Sequence, residues 1–350
     1  MEREFYLNLA RERMAMPIGA DLLLSSRPDP EAIRLRGPQL GEVIVEAARK
    51  YRTPLAFPLM DLQIEKEFLL TSLGVEEAAI SSFHFDEDGP DDGSRTAIRE
   101  KLETFPPTAK MQAAMEAIRH VAEQADLVPM GMSIGPFSLL TKLVDDPITT
   151  IYMASHEEEG EDEHDIVHGI LDIATRVISR WIQLQIDSGA KAICVCEPAA
   201  NTIYLSPNQL ESDPEIFDRM VIDYNKRIAD RMAEQGVDLV FHDCGELIPV
   251  MIEKFQQLDP AILSLGSPVP LWEAARHTKR DTVLFGNLPS KKFYSDKEYP
   301  ESRLKEEARH LREKMDATGH PYILGSECDV LAVNGCECTI RRKTELLLEC

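Results

Sequence analysis

Eight short runs of β-branched and apolar residues recur along this chain, each followed by a longer segment with helical spacing, and that alternation constrains the fold more than any other feature. The runs are Ile18 to Leu24, Pro54 to Met60, Leu127 to Ile134, Ala192 to Cys196, Val237 to His242, Ala261 to Leu265, Thr282 to Phe285 and Tyr322 to Gly325. Between them, Ile166, Ile170, Ile173, Val177, Trp181 and Leu184 recur at helical spacing and make one apolar face, as do Ile216, Met220, Tyr224, Ile228 and Met232. Ser206-Pro207 reads as an N-cap followed by proline at the first helical position, and Pro270 before WEAARH reads similarly. Strand-helix alternation with no internal repeat of about 20 to 50 residues favours one (β/α)8 barrel, a TIM barrel. A single barrel domain over residues 1–350, with 1–16 as an N-terminal extension, is therefore expected. The competing arrangement is an open doubly wound sheet. No GxGxxG or GxxxxGK[ST] loop follows any run, which argues against its nucleotide-binding form.

Charge narrows the partners. Lys and Arg number 38 and Asp and Glu 61, a net charge of −23, whereas nucleic-acid binding depends on cations that displace counterions from phosphate. A hydrophobic fraction of 43% is too high for a disordered acidic chain, so a real core is expected. MEREFYLNLARERMAM alternates charges with single apolar residues, unlike a secretory signal, and no stretch approaches the roughly 18 apolar residues of a membrane span. The expected location is cytoplasmic, with no membrane partner. Seven cysteines in a chain too large to need disulfide staples point to reduced thiols or metal ligands. DEDGPDDGS, residues 86–94, reads as a polar loop, and HEEEGEDE, residues 156–163, as a solvated loop or helix start.

The chemistry concentrates at strand ends. In VDLVFHDCGE an apolar strand runs out into His242, Asp243 and Cys244, and His242 and Cys244, two apart, point the same way. PYILG delivers Ser326, Glu327 and Cys328 to the same end of a barrel, where active sites lie. One imidazole and two thiolates converging there make three ligands of a tetrahedral zinc, with a fourth position open to substrate. Taken alone, a His-x-Cys pair reads equally as a small buried thiol beside a hydrogen-bonded core imidazole. Cys194 and Cys196 read first as packing residues, and Cys336 and Cys338 in VNGCECT remain alternative ligands at this level.

Five segments in order, GPFSLLTKLVDDP, QLQIDSGAKAICVCEPAANTIYLSP, FHDCGE, LFGNLP and YILGSECDV, give the chain from about residue 50 onward a resemblance to the uroporphyrinogen decarboxylase superfamily. His-x-Cys with a distant Cys resembles the zinc-dependent branch that moves methyl groups between corrinoid proteins and thiols, such as methylcobamide:coenzyme M methyltransferases. That resemblance implies a (β/α)8 barrel, Zn2+ on His242, Cys244 and Cys328, a corrinoid (cobalamin) methyl carrier and a small thiol substrate. The corrinoid is expected on a separate protein, because the chain has no DxHxxG segment of the kind that holds one. Glu197, before Pro198, stands where the resembling methyltransferases often carry Asp or Glu, which implies that it faces the metal or the incoming cofactor. Asp61, in FPLMD, falls where the decarboxylases carry their central Asp, and either carboxylate is a candidate to take the thiol proton or order the acceptor. Each has a structural reading too, Glu197 as a loop anchor and Asp61 as a helix cap.

The chain departs from the decarboxylase branch. Its MAMPIGADLLL offers no Arg where porphyrinogen decarboxylases hold substrate carboxylates, and Cys328 stands where those enzymes carry His. A second reading is a barrel enzyme that demethylates a methylated small molecule onto a corrinoid protein, and a third is a zinc protein without turnover, closed by a fourth protein ligand. Sequence leaves the oligomeric state open, a homodimer included.

Overall fold

The structure, a computed structural model, describes residues 1, 3–86 and 89–350. Eight strands lie in one sheet in the order β1-β8-β7-β6-β5-β4-β3-β2. They are β1 (Ala15–Met16), β2 (Leu55–Ala56), β3 (Val128–Ile134), β4 (Ala192–Cys196), β5 (Asp238–Asp243), β6 (Ile262–Leu265), β7 (Val283–Leu288) and β8 (Tyr322–Ser326). Every pairing is parallel, so each connection crosses over through helical segments, and the sheet curls into a (β/α)8 barrel. Strands β1 and β2 flank the seam, which Thr53 Oγ1 bridges by donating to the Pro17 carbonyl at 3.5 Å.

Alternation along the strands divides the core. Ala192, Cys194 and Cys196 of β4 face the barrel interior with Met130, Met132, Val240, Ile262 and Phe285, while Ile193 and Val195 face the helices. The long helix Asp162–Asp187 lays Ile170, Ile173, Val177, Trp181 and Leu184 against the sheet, as its spacing predicts. It is also tied by polar contacts: Trp181 Nε1 donates to the Met132 carbonyl at 3.0 Å, and Gln185 Oε1 accepts the Met132 N–H at 2.8 Å. The second periodic segment is interrupted, with a π-turn over Asp218–Ile222 before the α-helix Asp223–Glu234. Ser206 makes a full capping box with Gln209.

One strand stands elsewhere than expected. The first strand is Ala15–Met16, inside the segment read as an extension, and Ala20–Leu24 is a short helix. Pro17 supplies no N–H to continue the ladder, and Leu22, Leu23 and Leu24 bury as well on a helix as on a strand. Ahead of β1, the helix Arg3–Glu12 covers the floor of the barrel. Its Tyr6, Leu9 and Ala10 join the interior cluster, and Tyr6 Oη donates to Asp238 Oδ2 at 2.8 Å at the start of β5. The polar segment 86–94 lies partly outside the described residues, and Asp92 already begins the helix Asp92–Thr104. Residues 156–163 form an exposed loop that runs into the helix Asp162–Asp187. No helix among the described residues is long and apolar enough to cross a membrane.

Candidate metal centre

Strand β5 leaves the barrel through His242 and Asp243, whose side chains go to opposite faces. His242 belongs to the layer shared with its register partners Cys196 on β4 and Ser264 on β6. Its ring is 2% exposed, and Nδ1 lies 2.9 Å from Ser264 Oγ while Nε2 is buried without any partner. With the proton on Nδ1 donated to serine, Nε2 presents an uncommitted lone pair, the state a metal ligand requires. Nitrogens of His168 and His320 are also buried without a partner, so what distinguishes the His242 nitrogen is the company it keeps.

Two sulfurs meet it. The ligand atoms of His242, Cys244 and Cys328 all lie within 4.8 Å of one another, and no fourth His, Cys, Asp or Glu joins the group among the described residues. Cys244 reaches the spot because the chain turns tightly after β5: Gly245 N–H donates to Asp243 Oδ1 at 2.7 Å. Gly266 is needed beside it, since a Cβ there would stand 2.5 Å from the Cys244 carbonyl oxygen. Cys328 arrives two residues past β8, its thiol 3.5 Å from Met60 Sδ. The pair of thiols divides the charge unequally. Cys328 and His242 beside it hold the Cys244 thiol below its ordinary range against the cost of burial, and Cys244 together with burial pushes the Cys328 thiol up. An imidazole and two sulfurs within this distance form a soft donor set that fits Zn2+.

Carboxylates hold this mouth together. Glu327, almost fully buried, accepts Ser267 N–H at 3.2 Å with Oε2 and Lys291 N–H at 3.3 Å with Oε1, joining the loops after β6 and β7 to the end of β8. Glu197 is completely buried, and burial pushes its carboxyl up. Its Oε1 accepts Phe137 N–H and the Asn225 amide, each at 2.9 Å, and Oε2 accepts Ser138 N–H at 2.7 Å. These contacts fix the start of the helix Pro136–Leu140, and the approach is so close that a Cβ on Gly135 would meet the Glu197 carboxyl carbon at 2.3 Å. Both Glu197 oxygens are thus engaged, by two backbone N–H groups of that helix and by the Asn225 amide. Asp61 accepts Gln63 N–H at 3.0 Å, and its other oxygen lies 3.7 Å from Lys110 Nζ. It is part-exposed and follows Met60, the residue Cys328 touches.

Cys194 and Cys196 are buried in the interior, with Cys196 Sγ 3.3 Å from Met132 Sδ. Cys336 precedes the helix Glu337–Leu347, and Cys338 is exposed on it. Sequence reasoning placed Glu327 at the mouth without a role and missed Ser264 and Met60. A lone serine in the apolar strand ILSL is the one signal that pointed to Ser264, and nothing local marks Met60.

The fold and this donor set define a TIM barrel with a sulfur-rich candidate metal site at the C-terminal ends of its strands. Residues 42–336 match the family model described as uroporphyrinogen decarboxylase (URO-D), and the chain belongs to that family. A methylcobamide:CoM methyltransferase of Methanosarcina mazei is 26% identical over 140 residues, which is 39% of this chain and 37% of that protein. A uroporphyrinogen decarboxylase of Neisseria meningitidis is 25% identical over 226 residues, 63% of this chain and 60% of that protein. The matched segments thus span about a third to three fifths of these curated relatives. Among solved structures, a methyltransferase from Methanosarcina mazei superposes with a TM-score of 0.67 at 16% identity, covering 98% of this chain and 96% of that one, a likeness of fold.

Proposed function

We propose that this chain is a zinc-dependent methyltransferase that moves a methyl group between a methyl-corrinoid protein and a small thiol. The observation that carries this reading is the convergence of His242 Nε2, without a hydrogen-bond partner, with the sulfurs of Cys244 and Cys328. These three residues would hold the zinc. When bound, the metal would supply a site at which an acceptor thiol binds as its thiolate, the nucleophilic form. Two thiolate ligands leave such a centre with little net charge, suited to alkylating sulfur, whereas hydrolytic zinc sites rely on His and carboxylate ligands.

The chain's own residues divide the remaining work. Ser264 fixes the orientation of His242, and Glu327 and Glu197 hold the loops that bring Cys328 and the helix Pro136–Leu140 to the mouth. Asp61 keeps a part-exposed carboxylate oxygen and is the candidate to receive the thiol proton. Relatives named for methyl transfer from methylcobamide to CoM support the class of reaction. Decarboxylation of a porphyrinogen is disfavoured by MAMPIGADLLL, which offers no Arg for substrate carboxylates, and by Cys328 in place of His.

The test is thiol-dependent demethylation of free methylcobalamin or a methylated corrinoid protein, followed by absorbance as the cobalt–carbon bond is lost. Zinc protein should react with coenzyme M, homocysteine or another small thiol, and slowly with the free cofactor, which lacks the protein contacts that orient the methyl group. Failure with every thiol, together with methyl uptake from an ether or amine onto the reduced corrinoid, favours the demethylating enzyme instead.

A further inference from the structure

Away from the strand ends, the helix Asp162–Asp187 opens on His164 and His168. Four residues apart, they share one helix face, and their ring centres lie 4.2 Å apart at an interplanar angle of 38°. Each Nδ1 is engaged. His164 Nδ1 lies 3.2 Å from Asp165 Oδ1, and His168 Nδ1 lies 2.6 Å from Tyr224 Oη. Tyr224 comes from the neighbouring helix Asp223–Glu234, just past the π-turn over Asp218–Ile222. Each Nε2 is left to act: that of His168 is buried without a hydrogen-bond partner, and no protein group among the described residues bonds that of His164. An imidazole whose Nδ1–H is held by an oxygen presents an Nε2 lone pair, the form in which histidine ligates metals. Burial, and then the neighbouring His164, hold His168 down at about 4, so near neutral pH its ring is uncharged and keeps that lone pair.

The spacing suits chelation. Two imidazoles bound at a right angle to one ion, each at about 2.1 Å, have ring centres about 4.5 Å apart, close to the 4.2 Å of this pair. The surroundings favour a cation as well. Glu157 Oε2 accepts the His164 N–H at 3.0 Å, and Asp165 stands beside the His164 ring. The nearby arginines are already paired, Arg227 with Asp172 at 2.7 Å and Arg219 with Asp213. Among the described residues, His, Cys, Asp or Glu ligand atoms converge in a group of three only at His242, so water would complete the shell around this pair. Imidazole with water suits Ni2+ and Cu2+, which rank high in affinity for nitrogen ligands, whereas the sulfur-rich set at the barrel mouth suits Zn2+.

We propose that His164 and His168 form a second metal site, at which their Nε2 atoms chelate a nitrogen-preferring divalent transition ion and pin the first turns of the helix Asp162–Asp187. Asp165 and Tyr224 orient the two rings through Nδ1. The site is separate from the sulfur centre and does not depend on the methyl-transfer reading.

Ni2+ is the probe. In the full chain carrying Cys244→Ser and Cys328→Ala, which removes both sulfurs of the other centre, calorimetric titration should count about one Ni2+ per chain. Adding His164→Asn or His168→Asn should abolish that binding, and Tyr224→Phe should weaken it roughly tenfold by freeing the His168 ring. His156→Asn, at an exposed position in the preceding loop, should leave it unchanged. The wild-type chain gives a second measurement that needs no cysteine substitution: Ni2+ should slow amide hydrogen exchange in the first turns of the helix Asp162–Asp187, and should not do so in His168→Asn. Absence of Ni2+ binding to the folded double-cysteine variant overturns the proposal. So does a stoichiometry that neither histidine substitution lowers, or exchange in those turns that Ni2+ leaves unchanged.

Discussion

His242 illustrates how one side chain is prepared for ligation: its Nδ1 is occupied by Ser264 and its Nε2 is left bare. Ser264→Ala should weaken zinc binding by roughly 10- to 100-fold, the usual effect of losing a group that orients a ligand, measurable by competition with a chromophoric chelator. The sulfurs make a sharper test. Cys244→Ser and Cys328→Ala should each lose most of the metal on elemental analysis, while Cys336→Ala and Cys338→Ala retain it, since only the first two join His242. At Glu197, glutamine can accept with one atom where the carboxylate accepts with two, and it turns an NH2 toward an N–H donor. Glu197→Gln should therefore destabilise by about 1–3 kcal/mol in urea denaturation without changing zinc stoichiometry. The sequence showed which residues stand at strand ends and hence the three candidate ligands. It did not show which strand-end carboxylate faces the cavity, because Glu197 leaves its strand one residue after the inward Cys196 and turns to the helices.

At the scale of elements, the helix Ile64–Ser72 carries a second buried carboxylate. Glu65 Oε1 accepts Ser133 Oγ–H at 2.7 Å and Ile134 N–H at 3.0 Å, its Oε2 has no partner, and burial raises its pKa to about 7. A raised carboxyl favours folding fully below its unfolded value of 4.5, and that contribution is lost as pH climbs through about 7. Glu65→Gln removes this titration, so its stability relative to wild type should rise between about pH 4.5 and 7.5, by on the order of 2–3 kcal/mol. Chemical denaturation at a series of pH values checks the slope; parallel curves would place the shift elsewhere. Strands and long helices were legible because period-two and period-3.6 burial repeat over many residues, as Ile170 to Leu184 show. The two-residue strand Ala15–Met16 has no period to read, and Pro17 beside it gave the only local hint of where it stops.

The whole molecule separates stability from chemistry along the barrel axis. The floor is covered by the helix Arg3–Glu12, which buries Tyr6 and Leu9 and takes up Asp238, while His242, Cys244 and Cys328 lie at the opposite ends of the strands. Deleting residues 1–12 should cost roughly 3–6 kcal/mol from the two large side chains alone and lower the midpoint of thermal unfolding, while zinc bound per folded chain stays near one. Fold class was readable because eight alternations leave few topologies, but the mouth is assembled from loops after β2, β5, β6, β7 and β8, whose meeting is a property of closure that no local pattern encodes. The site's central chemistry can be read directly from the metal. Zinc-edge X-ray absorption of the protein, alone and with coenzyme M or homocysteine, should show about one zinc per chain bound by one imidazole and two sulfurs, with a third sulfur appearing when the acceptor thiol is added. Protein that binds no zinc, or zinc whose sulfur coordination no thiol increases, would contradict a thiol-activating centre at His242, Cys244 and Cys328.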